Sequence, residues 1–254
     1  MQPVISRARL DRAQSDDGYT VSAEFYDILQ ARQDETRVRD LYGRDVAGAC
    51  LGVLDIGAGT GRVTMMSLAR SGVRVHAVEP ARAMRAPLMT RLSALPAARL
   101  ARVTVHPRPL DEAELRKVAD VAVCHNMIAC LAPADRRALW PAVARALVPG
   151  GSLLLDLPPA RLPRREIVRF YPEQRVGAHV YGGRLIMAAD RSRIRARFEY
   201  WVRERQRVLR EHTETFWMWP ASRAELTGAL AEHGFAPMPG RDDPAVLAMT
   251  LTAR

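Results

Sequence analysis

The chain has 254 residues, 48% of them hydrophobic and 26% charged, a globular balance that excludes disorder. No run of about 18 apolar residues predicts a membrane span, and Met1-Gln-Pro-Val-Ile-Ser-Arg-Ala-Arg9 lacks the apolar stretch of a secretory leader. The formal charge of +10 rests on arginine, with Lys117 the single lysine, and fits either an ordinary basic surface or an anionic partner.

Residues 20–47 predict a helix, with Ser22 as its N-cap and Phe25, Tyr26, Ile28 and Leu29 at helical spacing. Apolar runs follow at Gly52–Asp55, Val73–Val78, Arg102–Val105, Val118–Val123 and Ser152–Asp156. Helical segments alternate with them at Arg62–Arg70, Ala81–Leu92 and Arg136–Leu147. That alternation predicts an α/β fold, a parallel sheet with helices on both faces. Pro149-Gly-Gly151 reads as a stop and turn before the fifth strand.

The rhythm breaks over residues 159–219. From Ile194 to Arg205, Ile194, Ala196, Phe198, Tyr200 and Val202 alternate with Arg195, Arg197, Glu199, Arg203 and Arg205, and Trp201 falls among the charged set. Period 2 with one charged face predicts a half-exposed antiparallel sheet, and Tyr181-Gly-Gly183 predicts a hairpin turn feeding it. A strand over Glu211–Trp219 closes the block. A helix at Ser222–His233, stopped by Gly234, and a strand at Ala245–Ala253 complete the chain. The divisions expected are an N-terminal helical lid (1–47), a core (48–158), an inserted antiparallel cap (159–219) and a C-terminal completion of the core (220–254).

The strongest motif is Asp55-Ile-Gly-Ala-Gly-Thr-Gly61, where the first strand meets the first core helix. Gly57, Gly59 and Gly61 permit positive φ and a close approach of ligand to backbone. Dinucleotide sites use GxGxxG with pyrophosphate at the helix N-terminus. Here the spacing is GxGxG, and Asp55 would repel pyrophosphate while suiting a cationic group such as a methionyl amine. Glu79, ending the second strand, is placed to accept ribose hydroxyls.

With Asp120-Val-Ala-Val-Cys-His125 at strand four and Leu147-Val-Pro-Gly-Gly-Ser152 before strand five, these motifs resemble class I, Rossmann-like S-adenosylmethionine-dependent methyltransferases. The resemblance implies a seven-stranded sheet and S-adenosylmethionine as cofactor, leaving S-adenosylhomocysteine. It places the methionyl part at Asp55, Gly57, Ala58, Gly59 and Gly61 and the ribose at Glu79, with Pro80 and Met84 alongside. Pro109 and Leu110 would flank the adenine, although His106-Pro-Arg-Pro-Leu-Asp111 departs from the family's usual Gly-Asp-Ala form.

Methyl transfer is an in-line displacement that depends chiefly on orientation, with a general base adding less. His125 is the candidate base, or an orienting hydrogen bond beside the cofactor. Asn126 is a candidate to position the acceptor, or a turn former. Tyr19, Phe25 and Tyr26 resemble the aromatic lid of relatives. Tyr26 stands as a second catalytic candidate and Tyr19 as a substrate contact, through cation–π attraction. In the cap, Tyr181, Trp201, His212, Glu214 and Trp217 are the candidate substrate residues. It holds fourteen Arg against seven Asp and Glu, +7 of the total charge, which suits an anionic or extended substrate.

An antiparallel insert after strand five resembles N-methyltransferases of aminosugars, small amines and ribosomal peptide natural products. N-methylation of a small-molecule or peptide amine is therefore the expected activity. O-methylation, and tRNA or RNA modification through the basic cap, stay open. Cys50, Cys124 and Cys130, odd in number and without CxxC spacing, predict reduced thiols, no zinc or other metal site, and a cytoplasmic protein. The oligomeric state is not legible.

Overall fold

The computed structural model describes residues 18–252; the first 17 residues of the expected lid and the end of the predicted last strand, at Ala253, lie outside them. Helix α1 (Ser22–Ala47) leads into β1 (Gly52–Ile56), α2 (Arg62–Arg70), β2 (Arg74–Val78) and α3 (Arg82–Ser93). A short α4 (Ala97–Leu100) precedes β3 (Val103–His106) and β4 (Ala119–Cys124), and α5 (Pro133–Ala146) leads to β5 (Leu147–Asp156). Strands β6 (Ile167–Val176), β7 (His179–Asp190), β8 (Arg193–Glu204) and β9 (Arg207–Met218) follow, then α6 (Arg223–Ala231), β10 (Phe235–Pro237) and β11 (Val246–Leu251).

Seven strands form one sheet in the order β10-β11-β5-β4-β1-β2-β3, in which only β11 runs antiparallel to the rest. The chain moves outward from β1 in both directions, so the carboxyl ends of β1 and β4 flank the switch point where open α/β sheets bind ligands. β1 is buried along its whole length because helices cover both faces of the sheet. Leu54, Ile56, Trp140 and Leu153 belong to the core on one face; Val53, Val75, Val123 and Leu154 belong to the other.

Strands β6 to β9 pair antiparallel in sequence order as a second sheet. Helix α1 joins the two sheets. Its first turns put Phe25 and Leu29 against Tyr200 and Val202 of β8, the Phe25 and Tyr200 rings stacked at 4.5 Å. Its later turns put Val38, Tyr42 and Val46 into the core of the large sheet.

Three local expectations are corrected. Ser22 is the first helical residue rather than the N-cap, which is Val21 without a side-chain cap; the Ser22 hydroxyl instead accepts from Tyr200 at 3.0 Å. Tyr181-Gly-Gly183 is not a turn but the interior of β7, and the hairpin reverses at Gly177. The glycines there make room for rings, since a Cβ on Gly182 would lie 2.2 Å from the Trp201 indole and one on Gly183 2.8 Å from Tyr200. Pro149–Gly151 lies inside β5, whose register against β4 shifts between Ala119 and Val121. The cap on α6, by contrast, is the Ser222–Glu225 capping box, with both reciprocal bonds made. Among the described residues no helix is long and apolar enough to cross a membrane.

Candidate active site

The turn between β1 and α2 is built on left-handed backbone: φ is +72° at Gly57, +58° at Gly59 and +93° at Gly61. At Gly57 and Gly61 a side chain is excluded by space as well, since a Cβ would stand 2.9 Å from Met127 and 2.5 Å from Leu88. The N–H groups of Gly57 and Ala58 both donate to the Val78 carbonyl, fixing the loop onto β2. Asp55 is buried beneath the loop and accepts from the Thr64 hydroxyl at 2.5 Å; burial pushes its carboxyl up to about 7. Glu79 accepts from the Gly59 N–H at 2.7 Å and the Ala81 N–H at 2.8 Å, while burial raises its pKa. Each of its oxygens keeps a further lone pair for a hydroxyl. Met84 is buried with its Cε 3.6 Å from where a Gly59 Cβ would be, and the Pro80 carbonyl is held by Arg85. Left-handed glycines beside a fixed acid fit the adenosyl cofactor expected from the sequence.

The wall opposite the loop comes from α1 and the end of β4. His125 is buried, with Nδ1 3.2 Å from the Tyr42 hydroxyl and Nε2 3.1 Å from Asp34 Oδ1. A carboxylate only accepts, so Nε2 carries the proton and Nδ1 accepts from Tyr42 when the ring is neutral. Burial alone would raise Asp34, but the hydrogen bond and charge of His125, with Arg62 and Arg37, hold it below the usual range. Asn126 adopts φ +54° and donates its N–H to Asp156 Oδ1 at 2.7 Å, and its side-chain nitrogen lies 3.2 Å from His125 Nε2. Tyr26 places its ring 5.2 Å from the Arg62 guanidinium, and burial keeps its phenol protonated well above the ordinary range. Tyr26, Asp34, Asp55, Gly59, Arg62 and His125 line one hollow.

The small antiparallel sheet has two unlike sides. Toward α1 stand Tyr181, Phe198, Tyr200, His212, Glu214 and Phe216; Tyr19, at φ +70°, stacks on Phe216 at 4.5 Å. On the opposite side, Arg195 pairs in register with Trp217, and Arg193 lies 3.4 Å over the Trp217 ring. Trp201 donates to Glu173, and Arg184 and Arg197 pair with Glu199. Trp201 and Trp217, named from the sequence as substrate contacts, therefore face away from α1 and the hollow, as strand alternation requires once Tyr200 and Phe216 point inward. Arg184, Arg193, Arg195, Arg197 and Arg203 stand with them, whereas Arg210 pairs with Glu24 of α1.

Of the adenine candidates, Leu110 is buried in the core beside Val78 and outside the hollow, while the Pro109 carbonyl caps the turn at Glu112 and Ala113. Sequence reasoning missed Asp34, Tyr42, Arg62 and Asp156. Asp27 and Asp34, seven residues apart and so on one face of a helix, were the available signal.

The family described as a methyltransferase domain matches residues 54–153. Among the curated proteins, none matches. Solved structures with the same fold include the S-adenosylmethionine-bound amino pentose methyltransferase CalS10 from Micromonospora echinaspora, involved in calicheamicin biosynthesis. It is 22% identical, with 99% of this chain and 100% of that one covered and a TM-score of 0.64. The sugar N-methyltransferase KedS8 from a Streptoalloteichus species is 19% identical over 100% of this chain and 96% of that one, with a TM-score of 0.63. The glycopeptide N-methyltransferase MtfA, complexed with sinefungin, is 20% identical over 87% of each chain, with a TM-score of 0.56. The chain thus carries a methyltransferase domain at residues 54–153 within the class I, Rossmann-like fold of the S-adenosylmethionine-dependent methyltransferases.

Proposed function

We propose that this protein is an S-adenosylmethionine-dependent N-methyltransferase acting on an amine of a small or peptide natural product, with aminosugars as the leading class. The observation that carries the amine is the polarity of the wall between cap and core. It presents Asp34, Asp156 and Glu214 with aromatic rings, while Arg184, Arg193, Arg195, Arg197 and Arg203 of the cap lie on the far side. Carboxylates and ring faces attract an ammonium group and disfavour an anionic acceptor. The sugar and glycopeptide N-methyltransferases that share the fold support the same class.

When bound, the cofactor supplies an electrophilic methyl group on its sulfonium. The chain's part is to orient and to exclude water. Gly57–Gly61 would hold the cofactor's methionyl part and Glu79 its ribose, while Tyr19 and Phe216 stack on each other at 4.5 Å between α1 and the cap. His125 has both ring nitrogens held by Tyr42 and Asp34, so it fixes the wall rather than offering a free base. Asp156, whose Oδ1 accepts the Asn126 N–H, is the carboxylate that would attract the acceptor's ammonium before it loses a proton to water. The free thiols of Cys50, Cys124 and Cys130 support a reducing, cytoplasmic setting.

The test is incubation of the purified chain with S-adenosylmethionine and a panel of aminosugars, peptide amines and their hydroxyl analogues, read by mass spectrometry. Methylation confined to the amines is expected. Methylation of the hydroxyl analogues alone would replace this reading with O-methylation.

A further inference from the structure

Strand β6 ends the small sheet, so one of its edges has no strand beside it. Along that edge alternate N–H and C=O groups point outward without a ladder partner. The inner side of the strand is fixed: Tyr171 packs against the cluster of Phe25, Leu29, Tyr200 and Val202, its ring parallel to that of Phe198. The outer side is open. Phe170 is 67% exposed, more than any other large apolar residue described, and Val168 is 44% exposed. The pairing with β7 shifts register between Tyr171 and Gln174, around Pro172, so Ile167–Tyr171 is the regular stretch of the edge.

The segment that leads into this edge is basic. Residues 161–169 contain Arg161, Arg164, Arg165 and Arg169 against Glu166, all of them exposed. None of the four arginines makes a side-chain hydrogen bond or ion pair with another described residue. Elsewhere in the cap acids answer the arginines: Glu199 pairs with Arg184 and Arg197, Glu173 with Arg203, and Glu24 with Arg210. An open edge with alternating apolar side chains thus stands beside cationic charge that the fold does not neutralise.

We propose that the Ile167–Tyr171 edge binds an acidic, extended peptide as a fifth strand of the small sheet. Backbone pairing supplies affinity, Val168 and Phe170 meet the apolar side chains of the peptide, and the arginines meet its carboxylates. This docking goes beyond the methyl transfer and does not depend on which amine is methylated. The same charges select the occupant. A second copy of the chain would set β6 against β6 and the arginines of one copy near those of the other. Glu173 is already held by Trp201 and Arg203, which leaves Glu166 to answer them. A nucleic acid would use the charge and leave the strand edge and Phe170 unpartnered.

The experiment is fluorescence anisotropy of the full chain with a labelled peptide of about eight residues, a typical strand length, alternating glutamate and valine. Saturable binding is expected. A peptide with lysine in place of glutamate, and one with alternate backbone amides methylated, should each bind roughly tenfold more weakly or worse. Arg164→Glu combined with Arg165→Glu should weaken the glutamate peptide by roughly tenfold. Phe170→Ser should weaken it by about threefold or more. Circular dichroism should be unchanged in both, since the replaced side chains are exposed. Absence of saturable binding, or equal binding of the lysine or amide-methylated peptide, would overturn the proposal. In that event a dimer in sedimentation that Phe170→Ser dissociates would give the edge to a second copy. Binding of bulk tRNA that is lost with Arg164→Glu and Arg165→Glu would give the arginines to nucleic acid.

Discussion

Glu214 accepts the backbone N–H of Ser22 at 2.7 Å across 192 positions of sequence, so a carboxylate from the small sheet serves the first turn of α1. The N-cap residue Val21 offers no side-chain acceptor. A negative charge there answers both the orphan N–H and the positive helix end. Glu214→Ala should therefore lower stability by about 1 kcal/mol, read as a shift in the urea midpoint with unchanged slope. Glu214→Gln should retain part of it. An unchanged midpoint in Glu214→Ala would show that the bond contributes nothing to docking.

Gly183 lies where β7 passes beneath α1. A Cβ there would meet Tyr200 at 2.8 Å and Leu29 at 3.1 Å, between sheet and helix. Gly183→Ala should destabilise by about 1–3 kcal/mol through overpacking and reduce turnover, because the same helix carries Asp27 and Asp34 to the site. Gly177→Ala, in the open hairpin turn, tests the contrast: it carries only the strain of φ +60° and should leave turnover intact.

The features that were readable in the sequence are local. Asp55–Gly61 spans seven residues of one strand–turn–helix unit, and the alternation at Ile194–Val202 is a property of one strand; each shows its period without help from the rest of the chain. Arg62, Asp27 and Asp34 become one cluster only when α1 lies across α2, and His125 meets Tyr42 over 83 positions. Trp201 standing among the arginines was the signal for which side of the cap faces the core, and the sequence reading did not use it. The aromatic content of the insert pulled the reading toward both tryptophans, and the cross-strand partner of Trp217, Arg195, shows that they point away.

Burial pushes Asp55 up to about 7, so in the free protein it is largely protonated at pH 6. A carboxyl with a raised folded pKa binds its proton in the native state and not in the unfolded one between about pH 4 and 7. Its contribution to stability therefore falls as pH rises through that window. A cationic methionyl group nearby favours the ionised form. Cofactor binding at pH 6 should release up to one proton, visible as a dependence of calorimetric enthalpy on buffer ionisation, and none at pH 8.5. Asp55→Asn should abolish the difference; its persistence would assign the proton to another group.

The arginines of the outer face of β7 and β8 pair with Glu199 and Glu173 or lie over the tryptophans, on the side of the sheet away from α1. Arg195→Ala and Trp217→Ala should leave kcat/KM for an amine acceptor within about twofold, as surface changes away from a site do. If the basic cap instead carried RNA, the same substitutions would weaken binding to bulk tRNA and flatten its salt dependence. Filter binding at low and high salt separates the two.

Asp156 ends β5 beside His125, its Oδ1 accepting from the Asn126 N–H at 2.7 Å and lying 3.9 Å from His125 Nδ1. Burial raises its pKa, partly offset by His125 and by that N–H. Asp156→Asn keeps an acceptor for Asn126 and removes only the charge, so the loop after β4 should hold its shape. The KM for an amine acceptor should then rise roughly tenfold, the scale of one partly desolvated ion pair, while affinity for S-adenosylhomocysteine stays within twofold. The sign of the pH dependence follows from the raised pKa: the native charge is present above it and lost as pH falls through it. The difference between native and Asp156→Asn enzymes should accordingly shrink on acidification. A KM unaffected by the substitution at every pH, or a fall in kcat alone, would remove Asp156 from acceptor binding and return the amine to Glu214 and the rings of Tyr19 and Phe216.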